Sequence, residues 1–150
     1  MRCSRRALVR AASAAAAVSL VAAAALAQQD AVKARQAAMK GNGQALKSIV
    51  RIIRAEGDPA DVIGPARKIA AVAGQIPALF PPGTDQGKTE ASPAIWRNFA
   101  DFRDKAADLG EQARMLAAAG EAGDLAIVRA QLDKVVEACT GCHKAYRHQR

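Results

Sequence analysis

Leu125, Val128, Leu132, Val135, Cys139, Cys142 and Tyr146 recur at intervals of three and four. That interval returns side chains to one face of an α-helix. A chain whose apolar residues keep this period has to bury helical stripes against other helical stripes. No stretch alternates with period two, so no strand is expected. The five aromatics, Phe80, Trp96, Phe99, Phe102 and Tyr146, make up only 3% of the 150 residues. A sheet built on aromatic cross-strand pairs is excluded on that count.

Three more stripes precede this one. Val32, Met39, Leu46 and Ile53 fall at strict sevens within 31–54, with Ile49 and Val50 beside them. Asp58-Pro59 then predicts a helix start, a capping carboxylate followed by a residue that needs no N–H donor. Val62, Ile63, Ala66, Ile69, Ala70, Ala73 and Ile76 follow, and Pro77 marks the expected end. Residues 77–91 hold three prolines and two glycines and read as the one long connection. Ser92-Pro93 repeats the cap-and-proline start, and Ile95, Phe99, Phe102, Ala106, Leu109, Ala113 and Leu116 carry the third helix. Gly120 and Gly123 bracket an expected turn, and Asp124 is placed to cap the last helix. The expectation is an all-α, antiparallel four-helix bundle in one domain, 28–150.

The first 27 residues read as an address. Arg2, Arg5, Arg6 and Arg10 precede an uncharged, Ala-rich run, and Ala25-Leu26-Ala27 supplies small residues where a signal peptidase cuts. A secretory leader over 1–27 implies export to the periplasm and no stable membrane insertion after cleavage. It also changes the charge. Lys and Arg number 22 against 14 acids, a formal +8, but four of those cations lie in the leader. Residues 28–150 carry +4, scattered rather than striped, which argues against nucleic acid as a partner.

Cys139-Thr140-Gly141-Cys142-His143 carries the chemistry. Cys-x-x-Cys-His is the attachment pattern of c-type haem. Two thiols one helical turn apart add to the two vinyl groups of a haem edge. The imidazole one residue on reaches the iron as proximal ligand. A zinc site wants four ligands, and here there is no second cysteine pair and one other histidine, His148. A thioredoxin-like redox pair wants a βαβ setting, which the periodicity does not provide. A methionine sixth ligand has to come from upstream. Met39 lies on the seam of the first helix, whereas Met115 falls one residue off the stripe of the third.

With these residues in hand the chain resembles class II c-type cytochromes, the cytochrome c′ superfamily. The resemblance rests on Arg35-Gln36-Ala37-Ala38-Met39-Lys40, Phe80-Pro81-Pro82-Gly83-Thr84, Pro93-Ala94-Ile95-Trp96, Gly123-Asp124-Leu125 and the run from Cys139 to Arg147. It implies a left-handed four-helix bundle with one covalent haem c near one end, often paired as a homodimer. His143 matches the proximal iron ligand, Cys139 and Cys142 the thioether cysteines, and Met39 the position facing the distal side. Arg35 and Arg147 match basic residues near the haem, partners for its propionates or a modulator of His143.

Two functions share this fold. In the low-spin branch a methionine completes the iron and the protein carries electrons. In the high-spin branch the iron is five-coordinate and binds NO or CO. Met39-Lys40-Gly41-Asn42-Gly43 resembles the low-spin branch. The expectation is therefore a periplasmic one-electron carrier ligated by His143 and Met39 and served by redox partner proteins. A gas-binding cytochrome c′ is the alternative. No distal acid–base pair is visible, so an enzyme is not expected. The family pairs through its first two helices, and Ala70, Ala71 and Ala73 would allow such an approach.

Overall fold

The computed structural model describes the backbone of residues 4–148 and the side chains from residue 28 onward. Helix α1 (Ser4–Arg54) leads into a 3-10 turn, Pro59–Val62, and helix α2 (Ile63–Gln75). A second 3-10 turn, Ile76–Leu79, opens the long loop. Helix α3 (Ala94–Arg97), helix α4 (Phe99–Ala122) and helix α5 (Leu125–Tyr146) complete the chain. The side chains of the leader expected over 1–27 lie outside the described residues. Among those described, no helix is long and apolar enough to cross a membrane.

This is the expected all-α four-helix bundle, with α3 and α4 together forming its third member. The caps fall where the sequence placed them. Asp58 Oδ1 accepts from the Ala60 N–H at 2.9 Å, and Ser92 Oγ from the Ala94 N–H at 3.2 Å. Asp124 Oδ1 accepts from the N–H groups of Ala126 and Ile127 at 2.8 and 3.3 Å. Pro77 does not end the second segment at once. It sits in the first turn of the 3-10 stretch, where its missing donor costs nothing.

The third segment breaks where a continuous helix was expected. Asn98 (φ −132°, ψ 54°) leaves the helical region and separates α3 from α4. The break lies beside an anchor, since the Trp96 indole N–H donates to both Phe80 O and Pro81 O at 3.1 Å. The expected turn between Gly120 and Gly123 also narrows. The helix runs through Gly120 and ends at Gly123, whose φ of +75° is the left-handed C-cap that glycine adopts without steric cost.

The core is Ala-rich, and its helices approach closely. Ala66, Ala73, Ala106, Ala113 and Ala117 are all buried. The small residues of α2 serve this intramolecular contact. A Cβ at Gly110 of α4 would lie 3.5 Å from Ala73 Cβ and 3.9 Å from Ala70 O. Ala73 is therefore spent inside the bundle, and of the three alanines expected at a dimer face only Ala71 is exposed.

The first stripe has seven members. Val32, Met39, Leu46 and Ile53 are the four expected at strict sevens. Arg35, Asn42 and Ile49, the last already expected beside them, fall between at the alternating threes and fours of a heptad seam. Arg35 and Ile49 are buried, and Met39, Asn42 and Leu46 are half-buried. Val50, expected beside the seam, is also half-buried.

Gly120 is where the bundle is least forgiving. A Cβ there would meet the Pro59 backbone oxygen at 2.9 Å and Ile63 Cγ1 at 3.0 Å. The backbone of a proline at a helix start has little room to retreat. Gly120→Ala is expected to destabilise the protein by about 1–3 kcal/mol, the usual cost of overpacking. Chemical denaturation of the two proteins side by side checks this, and an unchanged midpoint would contradict it.

Candidate haem site

The site begins with a buried cation. Arg35 is 3% exposed, and its guanidinium holds the long loop. It donates from Nη1 to Thr84 Oγ1 at 3.2 Å, and from Nη2 to Thr84 O at 2.6 Å and Thr89 Oγ1 at 2.7 Å. Its Cζ lies 4.9 Å from the centroid of the Phe80 ring, a cation–π contact. Thr84 Oγ1 in turn donates to Pro81 O at 2.8 Å. Burial draws the guanidinium below its ordinary pKa and nearby Asp85 opposes the shift. An arginine remains a cation even so.

The other side of the same loop holds the end of α5. Arg147 donates from Nε to Glu90 Oε2 at 2.8 Å and from Nη2 to the same oxygen. The His148 N–H donates to Glu90 O, and the Ser92 N–H to Tyr146 O, each at 2.9 Å. These bonds form an isolated antiparallel bridge between Ala91 and Arg147. Arg35 and Arg147 were both expected beside haem propionates. In this structure both spend donors on the loop, Arg35 at Thr84 and Thr89 and Arg147 at Glu90.

The closely packed helix pairs are α1 with α2, α2 with α4, and α4 with α5. Helices α1 and α5 are tied near their ends. At one end stands the loop, bonded by Arg35 and Arg147. At the other, Arg129 Nη2 lies 3.5 Å from Ile53 O and 3.7 Å from Glu56 Oε1. Eighteen residues separate Arg35 from Ile53, and eighteen separate Arg129 from Arg147, about 27 Å on each helix. The helices run antiparallel between these anchors. Counted inward along regular helices, Met39 is four residues from Arg35 and His143 four from Arg147, so the two fall at similar depth from the loop. By the same count Asn42 falls near the depth of Thr140, between Cys139 and Cys142.

Cys139 and Cys142 are free thiols, half-buried on the inward stripe of α5. Burial pushes both thiols up, so they are kept protonated; for Cys142, Lys105 opposes the shift. Partial burial lowers His143 below the usual histidine range, Arg147 adds to the effect and Glu90 opposes it. The neutral imidazole, the form with a free lone pair, is thereby favoured. Met115, the other methionine of residues 28–150, is 48% exposed and faces away from the core.

All five aromatics gather at this end. Phe80 and Phe102 meet edge to face at 4.9 Å, and Phe102 and Tyr146 at 5.3 Å. Trp96 and Phe99 extend the group at 6.3 Å from Phe80 and 5.9 Å from Phe102. Tyr146 is 5% exposed, and its hydroxyl donates to Asp101 Oδ2 and lies 3.4 Å from Asn98 O. This fastens the turn of α5 that follows His143 onto the first turn of α4.

The chain matches a cytochrome c′ family profile over residues 30–147. It belongs to the cytochrome c′ family. It is 33% identical over 118 residues to cytochrome c′ of Pararhodospirillum photometricum, covering 77% of this chain and 94% of that one. It is 37% identical over 118 residues to cytochrome c-556 of Agrobacterium tumefaciens (strain B2A), covering 77% and 95%. Among solved structures, a variant cytochrome c prime from Alcaligenes xylosoxidans in complex with nitric oxide superposes with a TM-score of 0.73. It is 31% identical, over 81% of this chain and 97% of that one. A second variant of that protein has been solved with carbon monoxide bound, and a further cytochrome c′ of this fold is described with a ligand-controlled dimer dissociation.

Cytochromes c′ carry one covalently attached haem c, and the residues of this chain fit it. Two free thiols stand one turn apart on an inward face, an imidazole follows, and a thioether falls at similar depth on α1. Among the described residues no group of three His, Cys, Asp or Glu could hold a metal ion instead, and no strand supports a thioredoxin-like pair.

Tyr146 gives the site a readable titration. Desolvation, then the bond to Asp101, pushes its phenol up to about 12. The protonated form is favoured in the folded state, so its contribution is complete below the ordinary value near 10. It is lost as pH rises through about 12. Tyr146 is the sole tyrosine, so ultraviolet titration is expected to give one step near 12 that Asp101→Asn moves down. A step near 10 in the unaltered protein would contradict the buried bond.

Proposed function

We propose that the chain is an exported monohaem cytochrome c′ that binds a diatomic gas, NO or CO, on the side of the haem facing α1. The observation carrying this reading is the likeness, over 81% of the chain, to a cytochrome c′ solved with nitric oxide bound. Residues 1–27 act as the export leader and residues 28–150 as the haem domain, which works in the periplasm.

When bound, the haem supplies a redox-active iron with a position for a sixth ligand. The chain does the rest. Cys139 and Cys142 hold the porphyrin by thioether bonds, and His143 ligates the iron from α5. Met39, on α1 at similar depth, forms the lid of the distal side. Arg35 and Arg147 hold the loop that closes the edge of the site.

A second reading has its own support. Met39 falls at similar depth to His143, and a relative of 37% identity is a cytochrome c-556. With Met39 as sixth ligand the protein would be an electron carrier, steered by its +4 charge toward acidic redox partners. Association into a homodimer follows the ligand-controlled dimer described for a structural neighbour, and light scattering with and without CO measures it.

Absorption and EPR spectra of the purified holoprotein in both oxidation states, with and without CO, separate the two. The gas-binding reading expects a high-spin ferric centre and ready CO uptake by the ferrous form. A low-spin centre that refuses CO, and turns high-spin in Met39→Ala, would overturn it in favour of the carrier. Cys139→Ala with Cys142→Ala is expected to leave haem extractable by acidified solvent, whereas the unaltered protein retains it.

A further inference from the structure

The inward seam of α1 contains two polar side chains, and they are treated differently. Arg35 donates three hydrogen bonds to the loop. Asn42, seven residues on and therefore on the same face, is half-buried, yet its Oδ1 is buried and has no hydrogen-bond partner among the described residues. A buried polar atom left without a partner has given up its bonds to water and gained nothing in return. An asparagine within a helix also gives up helix propensity relative to alanine. Such a residue in an apolar seam is not explained by packing, which leucine would serve better.

Its place suggests a use. Asn42 lies three residues from Met39 on the same face, about 4.5 Å along the axis. It lies seven residues in from Arg35, as Thr140 of the Cys-x-x-Cys-His turn lies seven in from Arg147, so by residue count the two fall at similar depth from the loop that both arginines bond. A carboxamide has an acceptor at one end and two donors at the other, and a half-turn of its terminal group exchanges them. Which end points inward is set by the partner it meets. A diatomic ligand offers its terminal oxygen, an acceptor, so the amide N–H would turn toward it.

We propose that Asn42 is a specificity-determining residue of the distal side, donating a hydrogen bond to the terminal oxygen of the bound diatomic. This rests on the reading that the iron lies between His143 and Met39. The donor stabilises a ligand in proportion to the negative charge on that oxygen. It slows escape and favours more polarised ligands over CO. An apolar residue at position 42 would hold all diatomics by fit alone.

The test uses holoprotein with Asn42→Leu, and Asn42→Ala as a smaller replacement should leucine crowd the seam. Infrared spectra of the ferrous CO complex read the bond order of the ligand. Removing the donor is expected to raise the C–O stretching frequency and to speed CO release about three- to tenfold, the range to which one net hydrogen bond converts. Equal frequencies and equal release rates in variant and unaltered protein overturn the proposal. If the unaltered protein takes up no CO, the gas-binding reading fails separately, and the same comparison in a Met39→Ala background decides the role of Asn42. Refusal of CO in that background overturns both, because no ligand then reaches the amide.

Discussion

The buried guanidinium of Arg35 is the constraint on which the haem end of this bundle depends. A cation taken from water has to find its bonds inside the protein, or its desolvation works against folding. Arg35 finds them in Thr84 and Thr89, two residues of a loop with no regular structure of its own. That loop is thereby tied to α1 at two points. Because Glu90 and Ser92 follow directly, the same loop bonds the end of α5. A single charged side chain on the first helix thus reaches, through the loop, the helix turn that carries Cys142 and His143.

The aromatic cluster is the apolar complement of that clasp. Phe80 stacks under the guanidinium and packs on Phe102, which packs on Tyr146. The rest of the bundle is alanine and branched aliphatics in close helix contact. The molecule therefore has two regimes. The α2–α4 contact is tight and built on small residues, with Gly110 and Gly120 marking the closest approaches. The α1–α5 pair is held at its ends and joined elsewhere through other helices. A large planar cofactor suits the second regime and not the first.

Most of the fold was legible from the spacing of apolar residues, because each helix buries its own stripe whatever its neighbours are. The caps at Asp58, Ser92 and Asp124 were legible for the same local reason. The break at Asn98 was not, since it accompanies anchors from Phe80, Pro81 and Tyr146, residues distant in the chain. The burial of Arg35 was hidden by its charge, though its register, between Val32 and Met39 on the seam, signalled it. The same holds for Asn42. Reading a seam by apolar residues alone recovers every other member when the remaining positions are polar. The motif cysteines and histidine were evident from spacing, whereas the similar depth of Met39 and His143 needed the anchors at Arg35, Arg129 and Arg147.

Those anchors make α1 and α5 behave as two rulers fixed at both ends and cut to one length. A single residue inserted between Arg35 and Ile53 would advance everything beyond it by about 1.5 Å and turn it by about 100°. The seam would then point elsewhere, and the levels would no longer meet. Even a full heptad, which restores the direction, leaves one ruler about 10 Å too long for the other. Drift in the length of these helices is therefore expected to be paired. A chain descended from this one can change α1 only by changing α5 to match.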